Sequence, residues 1–488
     1  MKVLFVASEC APFVKTGGLA DVVGAVPKAL APLGADVKIV LPAYPALAKQ
    51  VTNGDIVHAF DNLFGGPARL ISTRSDDLNL LLLDAPHLYD RPGSIYLDES
   101  GQDWSDNHLR FGALCVAATM VALDGVEGWR PDLVHAHDWQ AGLVPLLIKI
   151  ADRQDAPKTI ITIHNIAFQG LFPWTTRDLF DIPDHLFTHE GAEYYGQLGF
   201  LKAGLAFAEK ITTVSPTYAV ELLSPQFGMG LDGLLTARQN DLCGILNGID
   251  LDVWDPQSDT ALPANYSARN RINKRKCRDA VASRFGLHIN PATPLFCVIS
   301  RLTEQKGLDL LLQALPELVE RGGKLALLGS GSPELEQGFQ NAAQTYPGSV
   351  GVEIGYDEEL SHLMQGGSDA ILVPSRFEPC GLTQLYGLRY GTLPIVAKTG
   401  GLADTVVDAT KENLKTKSAT GIQFSPIDVD QLRDAVWRTC ELFDKQKIWK
   451  SMMGTAMRTP VGWDDSAPKY LKLYQDIVAS SSKAKSTQ

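Results

Sequence analysis

Two cationic side chains, Arg301 and Lys306, occupy one short polar segment (SRLTEQKG, 300–307) that directly follows an apolar run. Such a run is typical of a buried strand, and in open α/β sheets ligands bind beyond the carboxyl ends of the strands. A forked guanidinium and an ammonium at that position are suited to bind a diphosphate. The alternative is that both charges only solvate a surface loop. Because the chain carries a formal charge of −12, an anionic ligand needs a local cationic site of this kind.

A second polar segment, RFEPCGLTQ (376–384), follows the apolar run Ala370–Val373. Glu378 lies in the predicted loop, and residues 380–383 (CGLT) are expected to begin the next helix. Free backbone N–H groups at a helix start bind phosphate, and a carboxylate beside them suits sugar hydroxyls. The alternative is an ordinary helix cap.

The heptapeptide KTGGLAD occurs twice, at residues 15–21 and 398–404, each time after an apolar run and before a helical pattern. Adjacent glycines carry no Cβ, so their N–H groups can approach an anion closely, and Lys15 adds a full positive charge. We therefore expect a ligand-binding strand-to-helix turn in each half of the chain. The alternative is coincidence combined with shared turn chemistry, since neither copy matches GxxxxGK[ST] or GxGxxG.

The segment HAHDW (135–139) ends another predicted strand, with His135 and His137 on one strand face. Two histidines beside Asp138 resemble a metal site, but an aspartate and a tryptophan also suit the hydroxyls and the face of a sugar. Carbohydrate binding is the favoured interpretation. A DxD pattern at 250–252 is a weaker candidate for a metal–nucleotide complex.

His164 follows the apolar run Ile160–Ile163. A lone histidine there is most often a buried side chain with satisfied hydrogen bonds, but the carboxyl end of a strand favours a functional role. The polar, aromatic segment 87–108 is interpreted as a substrate-facing loop or an elaborate surface loop.

The apolar runs that precede these motifs predict the architecture. They are continuously apolar and separated by helical patterns, which is typical of parallel strands covered on both faces. The chain is therefore predicted to be α/β, with two doubly wound Rossmann-like lobes at residues 1–244 and 245–460. A helix is expected after Gly307, weakened near its end by Pro316. The predicted strands are Val3–Ala7, Val37–Leu41, Leu80–Leu83, Leu133–Ala136, Ile160–Ile163, Ile211–Val214, Leu295–Ile299, Leu325–Leu328, Val350–Ile354, Ala370–Val373 and Pro394–Ala397.

Composition excludes several classes of protein. A net charge of −12 disfavours nucleic acid as a partner, because the phosphate backbone favours an excess of Lys and Arg. No run of about 20 apolar residues predicts a membrane span, and the first apolar run is too short for a secretion signal. The seven cysteines are scattered without a CxxC spacing, which is typical of reduced thiols in a cytoplasmic protein.

Taken together, the motifs resemble those of bacterial glycogen synthases and plant starch synthases over nearly the whole chain. The resemblance implies the GT-B fold, in which two Rossmann-like lobes face each other across a cleft. Glucan is then expected on the N-terminal lobe and the donor mainly on the C-terminal lobe, with residues 461–488 packing back on the first lobe. The matching segments are KTGGLADV from Lys15, HAHDWQ from His135, TIHNIAFQG from Thr162, NGID from Asn247, SRLTEQKG from Ser300, PSRFEPCGLTQLYG from Pro374 and KTGGLADT from Lys398.

The implied activity is that of a retaining hexosyltransferase, which moves glucose from ADP-glucose to the non-reducing end of an α-1,4-glucan such as glycogen. No metal or other cofactor is expected. The closest alternative is another nucleotide-sugar transferase of this fold, using UDP-glucose or a small acceptor. A non-catalytic two-lobed sugar-binding protein is a second alternative, and a phosphorylase that uses pyridoxal phosphate is a third, for which no convincing cofactor lysine is present.

The resemblance also implies roles for individual residues. Many related transferases carry a second glutamate eight positions after Glu378, where this chain has Tyr386 as the glycogen synthases do, so Asp21 is left as the ribose carboxylate. The residues expected to bind the donor are Lys15, Gly18, Asp21, Asn247, Arg301, Lys306, Tyr356, Cys380, Gly381, Leu382 and Thr383. Those expected near the acceptor are Glu9, Tyr96, Asp138 and Trp139. Catalytic roles are expected for Lys15, His164, Arg301, Lys306, Glu378 and Asp138.

Overall fold

A computed structural model describes the backbone of residues 1–485 and the side chains of residues 1–479. The chain divides into two compact units. Unit 1 contains Met1–Ile245 together with the C-terminal helix that begins at Trp463, and unit 2 contains Leu246–Gly462. The last three residues of the segment expected to return to the first lobe, 486–488, lie outside the described residues.

Unit 1 is built on a nine-stranded sheet and a small three-stranded sheet. Its strands are β1 (Lys2–Val6), β2 (Asp36–Pro42), β3 (Asp55–Phe60), β4 (Ala68–Ser75), β5 (Leu78–Asp84), β6 (Leu133–His137), β7 (Lys158–Ile163), β8 (Leu171–Pro173), β9 (Glu193–Tyr194), β10 (Gln197–Gly199), β11 (Lys210–Thr213) and β12 (Leu242–Gly244). The helices of its first part are α1 (Gly18–Leu30), α2 (Ala48–Thr52), α3 (Pro86–Tyr89), α4 (Asn107–Asp124), α5 (Val144–Ile150), α6 (Phe200–Phe207), α7 (Pro216–Glu221) and α8 (Asp232–Ala237).

Unit 2 has one six-stranded sheet in which every pairing is parallel. Its strands are β13 (Leu295–Ile299), β14 (Lys324–Gly329), β15 (Val350–Ile354), β16 (Ala370–Val373), β17 (Leu393–Ala397) and β18 (Ile422–Phe424). Its helices are α9 (Lys274–Arg284), α10 (Leu308–Glu320), α11 (Pro333–Thr345), α12 (Glu358–Gly367), α13 (Thr383–Tyr390), α14 (Gly400–Thr405), α15 (Lys411–Thr416), α16 (Val429–Asp444) and α17 (Gln446–Ala456). The long helix α18 (Trp463–Lys485) follows and packs against α1 in unit 1.

The strand order explains where ligands are expected. Unit 2 runs β15-β14-β13-β16-β17-β18, which is the order 3-2-1-4-5-6 of a doubly wound fold. The parallel part of the unit 1 sheet repeats this order as β5-β2-β1-β6-β7-β11-β12. The order reverses between β1 and β6 and again between β13 and β16, so each unit has a switch point where a crevice forms at the carboxyl ends of two strands.

The predicted strands and the α/β class are confirmed, because nearly every side chain of these runs is buried on both faces of its sheet. Several short strands were not predicted, including β12, β18 and those of the small sheet β8-β10-β9. The antiparallel strands β3 and β4 were also missed, because many of their residues are only partly buried or exposed. The expected weakening of α10 at Pro316 was wrong, since the helix continues to Glu320 with its apolar face buried.

The structure also bears on the expectations about membrane spans and cysteines. Within residues 1–485, no helix is both long enough and apolar enough to cross a bilayer. All seven cysteines are free thiols, and six of them are buried.

Candidate functional site

In unit 2 a glycine allows the loops after β13 and β16 to come into close contact. Gly307 has φ +67° and caps α10, and a Cβ on it would lie 2.0 Å from the carbonyl oxygen of Pro374. Only a residue without a side chain allows both the left-handed conformation and this approach. The contact fixes the end of the SRLTEQKG loop against the loop that carries Glu378.

The close approach places Lys306 beside Glu378. Nζ of Lys306 lies 2.5 Å from Oε2 of Glu378, which also accepts a hydrogen bond of 3.0 Å from Oγ of Ser375. The two ionic side chains are only 18% and 9% exposed. A carboxylate in such a place is costly unless it is paired, so Lys306 stabilises the charge of Glu378.

Arg301 is the contrasting cation of this loop. It is exposed, and its guanidinium forms no hydrogen bond, ion pair or ring contact with the described residues. An unpaired guanidinium at a sheet switch point is free to bind an external anion in a bidentate manner.

Helix α13 begins at the same edge of the sheet. Gly381 has φ +71°, Leu382 is the N-cap and Thr383 is the first helical residue. Within the described chain no protein acceptor is recorded for the N–H groups of Leu382 and Thr383. These groups and the helix dipole can bind an anion.

The second KTGG turn, at residues 398–401, packs against the loop that precedes α13. Gly400 has φ +43°, and a Cβ on it would lie 2.0 Å from the carbonyl oxygen of Glu378. The N–H of Gly401 donates to the carbonyl oxygens of Glu378 and Pro379, at 3.1 Å each. The glycines of this copy are buried against the loop of Glu378 and support it, and ligand binding by this turn stays a prediction.

Cys380 belongs to the loop that carries Glu378, and its thiol contacts the backbone of Asn247. Cys380 is buried, and burial raises the pKa of its thiol to about 12, with a hydrogen bond from the backbone of Asn247 acting in the opposite direction. The thiol is therefore not a nucleophile at neutral pH. Oδ1 of Asn247 is buried without a partner among the described residues, so it is available to a ligand.

Arg376 and Tyr356 also lie in loops of unit 2. Arg376 binds the carboxylate of Asp309 on α10 in a bidentate manner, at 2.6 and 2.7 Å, and so ties the Glu378 loop to α10. Apart from the two charges, no local sequence pattern predicts this pair. Tyr356, expected to stack on adenine, is 77% exposed and follows β15.

In unit 1 the first KTGG turn is held by Glu9 and lies open. Oε2 of Glu9 accepts the N–H groups of Thr16 at 2.5 Å and Gly17 at 3.3 Å, and Oε1 accepts Oγ1–H of Thr16 at 2.7 Å. A Cβ on Gly17 or Gly18 would meet no atom within 4 Å. Identical sequences thus form a buried support in one unit and an exposed turn in the other.

The two charged residues of this turn pair with each other. Nζ of Lys15 lies 2.7 Å from Oδ1 of Asp21, and both side chains are partly exposed. An exposed pair of this kind is weak, so a ligand can displace it at little cost. Glu9, which is expected near the acceptor, shapes the turn and also accepts a hydrogen bond from the hydroxyl of Tyr96 at 2.6 Å.

Asp138 adopts a strained backbone conformation, with φ +54° and ψ −167°. Its Oδ1 accepts the N–H of His164 at 2.7 Å and that of Asn165 at 3.4 Å. Burial raises the pKa of this carboxyl to about 7, although the two N–H groups act in the opposite direction. Asp138 therefore holds the loop after β7, which carries His164.

Three buried histidines lie at the carboxyl ends of β6 and β7. His135 bonds Oη of Tyr474 at 2.7 Å through Nδ1 and Oγ1 of Thr162 at 2.6 Å through Nε2. His137 stacks on His135 with 4.2 Å between ring centroids. Burial lowers the pKa of all three rings, to about 3 for His135 and His164.

The metal alternatives gain no support from this geometry. Both nitrogens of His135 are bonded to hydroxyls, and Oδ1 of Asp250 accepts the N–H of Asp252 in a local turn. The described residues include no group of three or more His, Cys, Asp or Glu that could hold a metal ion.

Trp139 is part of the aromatic core. It is buried and packs against Phe111, with ring centroids 4.9 Å apart, and against Phe172 at 5.8 Å. A Cβ on Gly170 would lie 2.3 Å from its ring. The structure therefore gives Trp139 a packing role, whereas the expectation was a sugar-binding face.

Most of the sequence-predicted residues lie in loops near the switch point of one unit or the other, whereas Tyr356 follows the edge strand β15. Cations, helix N–H groups and carboxylates at a switch point are groups that can bind an anion or sugar hydroxyls.

Comparison with known proteins agrees with this geometry. Residues 2–237 match the family "Starch synthase catalytic domain", and residues 281–450 match "Glycosyl transferases group 1". The chain is 61% identical to the glycogen synthase of Roseobacter denitrificans over 480 residues, which cover 98% of this chain and 100% of that one. It is 52% identical to that of Paracoccus denitrificans over the same coverage.

Among solved structures, the catalytic domain of starch synthase IV from Arabidopsis thaliana, bound to ADP and acarbose, superposes with a TM-score of 0.86. It is 31% identical and covers 98% of this chain and 99% of its own. The fold is therefore GT-B, and the alternative of a non-catalytic sugar-binding protein is wrong. From its sequence, its two Rossmann-like units and these relatives, the chain belongs to the glycogen synthase family of glycosyltransferases.

Proposed function

We propose that this chain transfers glucose from ADP-glucose to the non-reducing end of an α-1,4-glucan with retention of configuration and without a metal ion. The observation that carries the proposal is the unpaired guanidinium of Arg301 at the unit 2 switch point, near the Lys306–Glu378 pair and the free N–H groups of α13. The related plant starch synthase was solved with ADP and acarbose, which supports an adenine nucleotide donor and a glucan acceptor for this chain.

The donor diphosphate is bound by Arg301, Lys306 and the N–H groups of Leu382 and Thr383. Cleavage of the glucose–phosphate bond leaves additional negative charge on ADP. Fixed cations and helix N–H groups stabilise that charge more in the transition state than in the ground state, and this is the source of rate acceleration. Glu378 and Oδ1 of Asn247 accept hydrogen bonds from glucose hydroxyls, while Tyr356 contacts the adenine.

Unit 1 contributes residues for both the donor and the acceptor. Lys15, Gly18 and Asp21 form the open turn, where Lys15 binds phosphate and Asp21 the ribose. Tyr96 and the loop of His164 face the sugar, and Asp138 positions that loop through its N–H groups.

Retention proceeds by attack on the face of the leaving group, with a donor phosphate oxygen accepting the acceptor's proton. The backbone carbonyl of His164 stabilises positive charge on the sugar ring. The carboxylate of Asp138 is engaged by two N–H groups, which favours a positioning role over that of a covalent nucleophile. Trapping a glucosyl adduct on any carboxylate would contradict this route.

The test is incubation of the purified chain with ADP-glucose and glycogen, with and without EDTA, measuring ADP release and polymer growth. We expect equal rates in both arms, and we expect an exo-acting α-1,4-specific amylase to release the glucose that was newly added to the chain ends. Parallel reactions with UDP-glucose, and with glucose in place of glycogen, test the related transferase activities. Preference for UDP-glucose, preference for the small acceptor, or loss of activity with EDTA would each contradict the proposal.

A further inference from the structure

His137 and His164 form a contact that the proposed mechanism does not use. Nδ1 of His137 lies 3.0 Å from Nε2 of His164, and both rings are buried. Two imidazole nitrogens at this distance share one proton, because one must donate and the other must accept. The ring that donates decides which tautomer the other ring adopts.

The hydrogen bond can run from His137 to His164 or from His164 to His137. The second nitrogen of His137, Nε2, distinguishes these two directions. Nε2 of His137 is buried and has no partner among the described residues, whereas no nitrogen of His164 is both buried and unpaired. If His164 donated, neutral His137 would carry its proton on Nε2 as a buried N–H without an acceptor. Buried N–H groups of that kind are rarer in proteins than buried acceptors without a donor. The favoured arrangement is donation from Nδ1–H of His137 to Nε2 of His164.

Neighbouring contacts hold both rings in place. His137 stacks on His135, which is itself fixed by hydroxyls at both nitrogens. The backbone of His164 is fixed by Asp138. Burial keeps all three rings neutral at neutral pH, since it lowers their pKa values. Both rings are therefore neutral at neutral pH, and the stacking contact with His135 restrains the ring of His137.

We propose that His137 is a positioning residue that keeps His164 protonated on Nδ1, so that His164 presents an N–H donor to a sugar hydroxyl in the site. This inference rests on the proposed function for the identity of the sugar. It gives the second histidine of HAHDW a role that is neither metal binding nor direct substrate contact.

Two amide variants separate this role from packing. In His137→Asn the amide nitrogen is two bonds from Cβ, as Nδ1 is, so it can still donate to His164. In His137→Gln the nitrogen is three bonds from Cβ, at the position of Nε2. We expect His137→Asn to keep kcat/KM within about 3-fold of wild type and His137→Gln to lose about 10-fold, the value of one neutral hydrogen bond. Packing alone predicts the opposite order, because Asn leaves the larger cavity.

The tautomer itself is read by ¹⁵N chemical shifts of histidine-labelled protein, with His164 assigned by its absence in His164→Gln. We expect a protonated Nδ1 and an unprotonated Nε2 in wild type and in His137→Asn. Protonation of His164 on Nε2 in wild type would overturn the proposal, as would His137→Gln being as active as His137→Asn. If wild type fails to use ADP-glucose, the proposed function fails, while the shifts still decide the tautomer.

Discussion

Nζ of Lys306 lies 2.5 Å from Oε2 of Glu378, although the two residues are 72 positions apart in the chain. They meet because β13 and β16 are neighbours in the sheet and Gly307 lets their loops touch. In the proposed function, the pair provides a cation for phosphate and a carboxylate for sugar hydroxyls at one place.

Lys306→Gln is expected to lower turnover at least about 100-fold, because it removes one fixed charge that stabilises the developing negative charge on ADP. The thermal midpoint should also fall, because Glu378 loses its cationic partner and keeps only the hydrogen bond from Ser375, so the rate is measured at a temperature at which the variant is folded. Steady-state ADP release measures the rate, and the exposed Lys469→Gln is the matched control. A rate near that of wild type would contradict the role.

The two KTGG turns are expected to respond differently to the same change. In Gly401→Ala the new Cβ would lie 2.3 Å from the carbonyl oxygen of Cys380, whereas in Gly18→Ala it would meet nothing within 4 Å. We expect Gly401→Ala to lower the thermal midpoint by at least about 5 °C and Gly18→Ala to shift it by about 1 °C or less. Differential scanning calorimetry measures both, and equal shifts would argue against the assigned environments.

The buried histidines predict acid sensitivity. The pKa of His135 is about 3 in the folded chain against 6.5 in the unfolded chain, so only the unfolded state takes up this proton as pH falls from 6.5 towards 3. This contribution to stability is complete above pH 6.5 and is lost as pH falls. Asp138 acts with the opposite sign, because its raised pKa of about 7 makes the folded state lose stability as pH rises from about 4 to 7.

The measurement is therefore a difference between variants. His135→Asn should lower the thermal midpoint at pH 7, yet its midpoint should fall less than that of wild type between pH 7 and pH 5. The exposed His185→Asn should follow the wild-type curve. If the thermal midpoints of His135→Asn and wild type fell equally between pH 7 and pH 5, His135 would not contribute to the pH dependence of stability.

The hydroxyl of Tyr474 ties α18 to strand β6 through Nδ1 of His135, at 2.7 Å. Tyr474→Phe leaves that buried nitrogen without its partner, and we expect a loss of about 1–3 kcal/mol in the stability of unit 1. Urea unfolding followed by tryptophan fluorescence measures it. Tyr195→Phe, at a residue that is 80% exposed, is the control and should be neutral. An unchanged unfolding midpoint for Tyr474→Phe would show that the helix is held by packing alone.

The α/β class, most of the parallel strands and the loops that carry the candidate residues could be predicted from the amino-acid sequence. This was possible because strands buried on both faces must be continuously apolar, and because ligand loops follow their carboxyl ends. Arg301, Lys306 and Glu378 were therefore identified from local patterns alone.

Other properties depend on contacts that no local pattern contains. Two identical KTGGLAD segments have different environments because one packs against the Glu378 loop and the other is held by Glu9 with its glycines open. Trp139 became a core residue because Phe111 and Phe172 surround it. Burial, hydrogen-bond partners and histidine tautomers depend on residues far apart in the chain, so they are properties of the folded molecule.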